Sequence, residues 1–195
     1  MLEWLYRHLL QLDYTVWYYV NTVWHNAFLD SLMPWVRNQY LWGPLYLFLL
    51  LFMTMSFGRR GWLWCLGFII TFALSDYISA SVIKPVFHRT RPCNNPYLQD
   101  IIRLLVPRSS GLSFPSSHAA NHFSLACFSA LTLGSRYRWV WIAAACWAVL
   151  VSYAQIYVGV HFPMDITAGA LLGCCIGMLT GTLYNRKYDL TQAPR

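Results

Sequence analysis

The sequence predicts an all-α membrane protein, a polytopic helical bundle, and three observations carry that prediction. Of its 195 residues, 57% are hydrophobic and only 11% are Asp, Glu, Lys or Arg, against about 25% charged in a soluble domain. The apolar residues fall into uncharged runs of span length, not into the short amphipathic stripes of a water-soluble core. Basic residues separate those runs, and aromatic residues, 17% of the chain, suit an interfacial belt.

Taken in order, residues 1–37 mix Trp, Tyr and Leu with polar residues every few positions. Their longest run without formal charge, 14–29, is interrupted by Asn21, His25 and Asn26. This segment is expected to form amphipathic helices at the interface, or a broken and partly inserted sixth span. Residues 38–58 carry no formal charge and end before Arg59 and Arg60. Residues 61–83 form a second apolar segment with one carboxylate, Asp76, and the stretch 84–108 is too rich in Arg and Pro to span. Uncharged stretches at 109–135, 139–164 and 166–185 supply three more candidates. Five spans follow, near 39–57, 62–83, 116–134, 139–159 and 164–184, giving a membrane domain at 38–185 and a tail at 186–195.

The net charge of +7 would suggest nucleic acid in a soluble protein. Here the basic residues flank apolar runs, so the expected partner is the lipid bilayer and not a nucleic acid. Arg59/Arg60, Arg136/Arg138 and Arg186/Lys187 fall on one side of a five-span bundle, which the positive-inside rule places in the cytoplasm. The stretch 84–113 and the turn around His161 then face outward. Gly169, Gly173, Gly177 and Gly181, four apart on the last span, form a small-residue stripe. Close packing within a monomer is its expected use, with a dimer contact as the alternative. Asp76 lies about 12 Å along the helix axis before Lys84, too far to pair with it, and is expected to make a hydrogen bond in the bundle interior.

Three polar clusters reach the outward face. KPVFHRTRP (84–92) offers Lys84 as a point charge and Arg91 as a planar fork for an oxyanion. PSSH (115–118) opens the third span, so that Ser116, Ser117 and the unpaired backbone N–H groups there suit an anion. His118 follows, with His122 one turn later, but no Asp, Glu or Cys completes a metal-ligand set. In YVGVHFPMD (157–165), Asp165 is placed to orient His161 and raise the basicity of its second nitrogen. Together these residues describe an anionic tetrahedral group, a nucleophile and an acid, the parts of phosphoryl transfer without metal or cofactor.

The three clusters, in order and with membrane helices around them, resemble the type 2 phosphatidic acid phosphatase (PAP2) superfamily, particularly its small bacterial membrane phosphatases. The family's Lys-x6-Arg-Pro is matched by residues 84–92, its Pro-Ser-Gly-His by 115–118, and its Ser-Arg-x5-His-x3-Asp by AQIYVGVHFPMD, 154–165. The resemblance implies that His161 is the nucleophile, Asp165 its orienting carboxylate and His118 the acid for the leaving oxygen. It implies that Lys84, Arg91, Ser116 and Ser117 hold the phosphoryl group. It further implies a lipid phosphate or diphosphate substrate, undecaprenyl diphosphate first, with phosphatidic acid, phosphatidylglycerol phosphate and lipid A phosphate as alternatives. The setting it implies is the bacterial inner (cytoplasmic) membrane, with the site facing the periplasm or cell exterior. Two positions depart from the family: Ser117 replaces a glycine, and Gln155 replaces a phosphate-binding arginine. Activity is still expected, either slowed, compensated by Arg89 or Arg108, or directed to another phosphate ester, with a catalytically weak phosphate-lipid-binding membrane protein as the alternative.

Overall fold

The computed structural model of the chain describes residues 1–188 and 190. These contain α1 (Leu2–Tyr18), α2 (Ala27–Val36), α3 (Gly43–Tyr77), α4 (Lys84–Phe87), α5 (Ser117–Leu133), α6 (Trp139–Tyr157) and α7 (Pro163–Tyr188), with no strand among them. α7 runs to Tyr188, two residues past 186. Residues 189 and 191–195 lie outside the described residues.

α3 is two helical arms joined at a break. Gly58 sits at φ 52°, ψ −125°, a backbone state that residues with a Cβ avoid. It turns the chain back on itself: Gly61 packs against the Met53 backbone, and the rings of Tyr46 and Phe68 lie 6.3 Å apart. The arms 43–57 and 59–77 are therefore antiparallel, with Arg59 and Arg60 at the tip. The second arm continues through a π-helical turn, Ile78–Ile83, into α4.

Three helical stretches are long and apolar enough to cross a membrane: Gln39–Phe87, 49 residues with the hairpin inside it, Trp139–Tyr157 and Pro163–Tyr188. The expected span at 116–134 is α5, which has 17 residues and is buried along most of its length. Its Ser124, Ser129 and Thr132 face protein, and Trp64 Nε1 donates to Thr132 Oγ1 at 2.7 Å. α5 is the central post of the bundle.

The glycine stripe explains how α7 reaches that post. A Cβ at Gly169, Gly173 or Gly177 would fall 2.4, 2.2 and 2.3 Å from the carbonyl oxygens of Ser116, Ala120 and Ser124. The stripe is thus used inside the chain, against α5, and that face is closed to a second copy. Gly173→Ala is expected to destabilise the protein by about 1–3 kcal/mol through overpacking, read as a lower unfolding midpoint in detergent.

The basic turns gather at one end. Arg136 lies over the Phe57 ring at 5.8 Å, Tyr184 Oη donates to the Arg60 carbonyl at 2.8 Å, and Asn185 Nδ2 donates to the Leu131 carbonyl at 2.9 Å. At the opposite end the Ser116 N–H donates to the Asp165 carbonyl at 2.9 Å, joining the first turns of α5 and α7.

The N-terminal segment is fastened to this second end. The buried Asn21 amide donates to the carbonyls of Tyr157 at 2.7 Å and Arg103 at 2.8 Å, and accepts the Arg103 N–H at 3.0 Å. Asp30 accepts from both Arg103 Nη atoms at 2.6 and 3.2 Å, and from Tyr157 Oη at 2.7 Å. Bonds of this kind fix a register that a helix floating at an interface lacks.

Candidate active site

The third cluster hangs between two helices. α6 ends at Tyr157, and the chain turns at Gly159, φ 84°, where Ile102 and the Arg103 carbonyl would press on any side chain. His161 follows, 1% exposed, and Asp165 sits in the first turn of α7.

Four groups fix Asp165. Its Oδ2 accepts from the Phe162 N–H at 2.9 Å and from Ser113 Oγ at 2.5 Å, and lies 3.4 Å from His161 Nδ1. Its Oδ1 accepts from Arg89 Nη1 at 2.7 Å. Arg89 also forms a short ion pair with Asp13, whose other oxygen accepts the Met164 N–H at 2.7 Å. The Arg89 guanidinium lies 4.4 Å over the Phe162 ring. A chain of charges thus runs from α1 through Arg89 to the carboxylate beside His161.

The tautomer of His161 follows from its partners. Arg91 Nη1 lies 3.0 Å from His161 Nε2, and a guanidinium only donates. Nε2 is therefore the bare nitrogen, and the ring proton sits on Nδ1, facing Asp165. Burial, against the pull of Asp165 and with the push of Arg91, holds the imidazole down to about 4, so the ring is neutral at physiological pH. Activity that needs the bare Nε2 is expected to fall as pH drops through about 4. A kcat/KM profile between pH 3 and 8 checks this.

The expected phosphate groups converge unevenly. Lys84 and Arg91 are both close enough for their charges to act on His161, and Arg91 Nε is buried with no partner. His118 feels His161, His122, Arg37 and Arg91. Ser116 caps α5, accepting the Ala119 N–H at 3.4 Å, and is fully buried. Ser117 Oγ is buried without a partner and lines a cavity with His118. Gln155 is fully buried, and neither of its side-chain polar atoms has a partner.

Arg89 and Arg108, the two cations named for compensation at Gln155, both have other partners. Arg89 is committed to Asp13 and Asp165. Arg108 donates to the Cys93 carbonyl at 2.6 Å and to Gln99. A further cation, Arg37, just past the end of α2, lies close enough for its charge to act on His118. Its Nε is buried without a partner; burial, and after it the charge of Arg91, holds it below the ordinary guanidinium value. Asp13, Asp30 and Arg37 all lie in the segment that sequence reading set outside the membrane domain. Asp76 lies where expected, accepting from Asn121 Nδ2 at 2.9 Å.

A loop holding a buried histidine beside a fixed carboxylate, a serine-capped helix start and a proline-punctuated basic turn, all at one end of a helical bundle, agree with what comparison with known proteins finds. The PAP2 superfamily profile matches residues 61–189. This chain belongs to the PAP2 superfamily. It is 34% identical over 155 residues to the lipid A 4'-phosphatase of Bacteroides thetaiotaomicron, covering 76% of this chain and 67% of that protein. It is 35% identical over 159 residues to the undecaprenyl-diphosphatase of Sulfolobus acidocaldarius, covering 79% of this chain and 70% of the relative. The crystal structure of a transmembrane PAP2-type phosphatidylglycerolphosphate phosphatase from Bacillus subtilis has the same fold, with a TM-score of 0.69 at 21% identity, over 95% of this chain and 90% of that one. With its apolar helices, this PAP2 chain is a membrane protein.

Proposed function

We propose that this protein is a lipid phosphatase that hydrolyses a membrane lipid phosphate or diphosphate through a covalent phosphohistidine at His161, without a metal. The observation that carries the reading is the Arg91–His161 contact: it leaves Nε2 bare beside the cation that would hold a phosphoryl oxygen. Nε2 attacks phosphorus, and the bond from phosphorus to the lipid oxygen breaks as His118 gives that oxygen a proton. Asp165 accepts the Nδ1 hydrogen bond and stabilises the charge that forms on the ring. Water then attacks phosphorus, giving its proton to His118, and the P–N bond breaks to release inorganic phosphate. Lys84, Arg91 and Arg37, with the Ser117 hydroxyl, the Gln155 amide and the N–H groups at the start of α5, hold the phosphoryl oxygens. Ser116 contributes through the helix start that it caps.

Phosphate release from detergent-solubilised undecaprenyl diphosphate, phosphatidic acid, phosphatidylglycerol phosphate and lipid A, each with and without EDTA, tests the activity. Release that survives chelation supports the reading, and release that returns only with added divalent metal overturns its metal-free form.

Arg37→Gln is expected to raise KM for the best of these lipids about tenfold, the loss of one charge-assisted hydrogen bond; an unchanged KM would remove Arg37 from the site. In this reading the site faces outward from a bacterial inner membrane, a sidedness that the three basic turns at the opposite end support. A cysteine at Asn95, in a background lacking Cys93, is expected to react with an impermeant thiol reagent in intact cells. Labelling only after lysis would reverse the sidedness.

A further inference from the structure

A cavity of about 720 Å³ leads away from Ser117 and His118, between the two arms of α3 and α5. Most of its wall is apolar, including Leu47, Leu50, Trp64, Phe68, Ile69 and Phe72, as a lipid tail requires. Besides Gln39, Tyr40, Tyr46, Ser117 and His118, three further polar side chains face the cavity. Asp76, Asn121 and His122 line it together, the last two 8% and 6% exposed. A hydrocarbon tail gives such groups nothing to bond, and leaving them unpaired costs free energy.

The hydrogen bonds of these three side chains define what they lack. Asn121 Nδ2 donates to Asp76 Oδ1 at 2.9 Å, so its amide is oriented with Oδ1 away from the carboxylate, and that oxygen is buried without a partner. His122 Nδ1 lies 2.8 Å from the His118 carbonyl, which can only accept, so Nδ1 carries the proton and Nε2 is a bare acceptor. Nε2 too is buried without a partner. The Asp76 carboxylate also accepts. The two buried atoms without any partner, Asn121 Oδ1 and His122 Nε2, are thus both acceptors, and they belong to positions roughly 4.5–6 Å along α5 beyond His118 at 1.5 Å per residue.

We propose that Asp76, Asn121 and His122 form a second recognition point for the substrate, one that takes hydrogen-bond donors. The ligand class is a lipid phosphate carrying hydroxyl or amide N–H groups within a few bonds of the phosphate ester, as an N-acylated sugar or amino-alcohol lipid does. A diacylglycerol phosphate offers only ester acceptors at that distance, and a polyprenyl phosphate offers only hydrocarbon. The point rests on the phosphatase reading above and selects among that reading's substrates. Selection by donor is strong where acceptors are buried, because a substrate without donors leaves them unpaired.

The test uses three probes with the purified full-length protein in one detergent: ceramide 1-phosphate, which carries an amide N–H and a hydroxyl near the phosphate, phosphatidic acid of matched chain length, and a polyprenyl phosphate. The expected kcat/KM for ceramide 1-phosphate exceeds the other two by roughly tenfold or more. Asp76→Leu and, separately, Asn121→Leu are expected to collapse that ratio to within about threefold. A general loss of fold lowers all three rates and leaves the ratio standing. Equal kcat/KM on all three probes in the parent, or an unchanged ratio in both variants, overturns the recognition point while leaving the phosphatase reading intact. If no probe, and none of the lipids tested above, releases phosphate, the phosphatase reading itself fails. The ratio in the parent also tests the point where neither variant folds.

Discussion

Replacing His161 with alanine is expected to lower kcat on every substrate by roughly 10⁴-fold or more, the scale set by losing a covalent nucleophile. The ring is 1% exposed and touches Arg91, Ser113 and Asp165, so the variant also leaves a small polar void. Its unfolding midpoint and its retention of a bound lipid phosphate separate lost chemistry from lost fold. Asp165→Asn makes the companion test. It keeps the shape but offers an amide where Nδ1 needs an acceptor, and Arg89 and the Phe162 N–H lose a charged partner. A fall in kcat with KM little changed is the expected pattern, since the charge on the imidazole forms after binding. Near-parental kcat in either variant removes this loop from the chemistry.

The second large effect concerns stability and begins at Arg89. Arg89→Leu strands two carboxylates, Asp13 and Asp165, whose side chains have no solvent exposure. Breaking a buried ion pair from one side costs about 3–5 kcal/mol, because the remaining charge stays desolvated. The triad should therefore be worth more as a scaffold than any single surface pair. Combining Asp13→Asn with Arg89→Leu removes one of the two orphaned charges and is expected to recover part of the loss. An additive double variant would show that Asp13 and Arg89 do not act together. Unfolding midpoints of the three proteins in one detergent measure this, and kcat should fall with Arg89→Leu because Asp165 loses a fixed partner.

The bundle was readable because its cause is local. Uncharged runs and basic punctuation mark helix ends wherever they occur, and glycines four apart on one face mark close contact whatever the neighbour is. The proposed trio stands out in the sequence because His161 and Asp165 are four residues apart and His118 follows a recognisable helix start. What escaped is long-range. Asp13 sits in an amphipathic stretch whose pattern is the same whether a carboxylate faces water or a buried guanidinium, and its partner is 76 residues away. Arg89 and Arg91 are two positions apart in one motif, yet one braces Asp165 and the other faces His161 Nε2. Ser116 and Ser117 divide in the same manner, one capping α5 and the other lining the cavity. Spacing within a motif places such residues together and leaves their directions to the fold. Arg37 comes from outside every motif, and only packing brings it in.

The central claim is that phosphorus becomes bonded to His161. His118→Ala should slow the second step, which needs a base for water, as well as the first, which needs an acid. A substrate with a good leaving group, such as an aryl phosphate, spares the first step. Rapid quench of that variant with the aryl phosphate, followed by peptide mass spectrometry at neutral to alkaline pH, should find an added phosphoryl group on the peptide containing His161, lost on brief acid treatment. Free phosphate accumulating while that peptide stays unmodified at every quench time would contradict a covalent intermediate at His161.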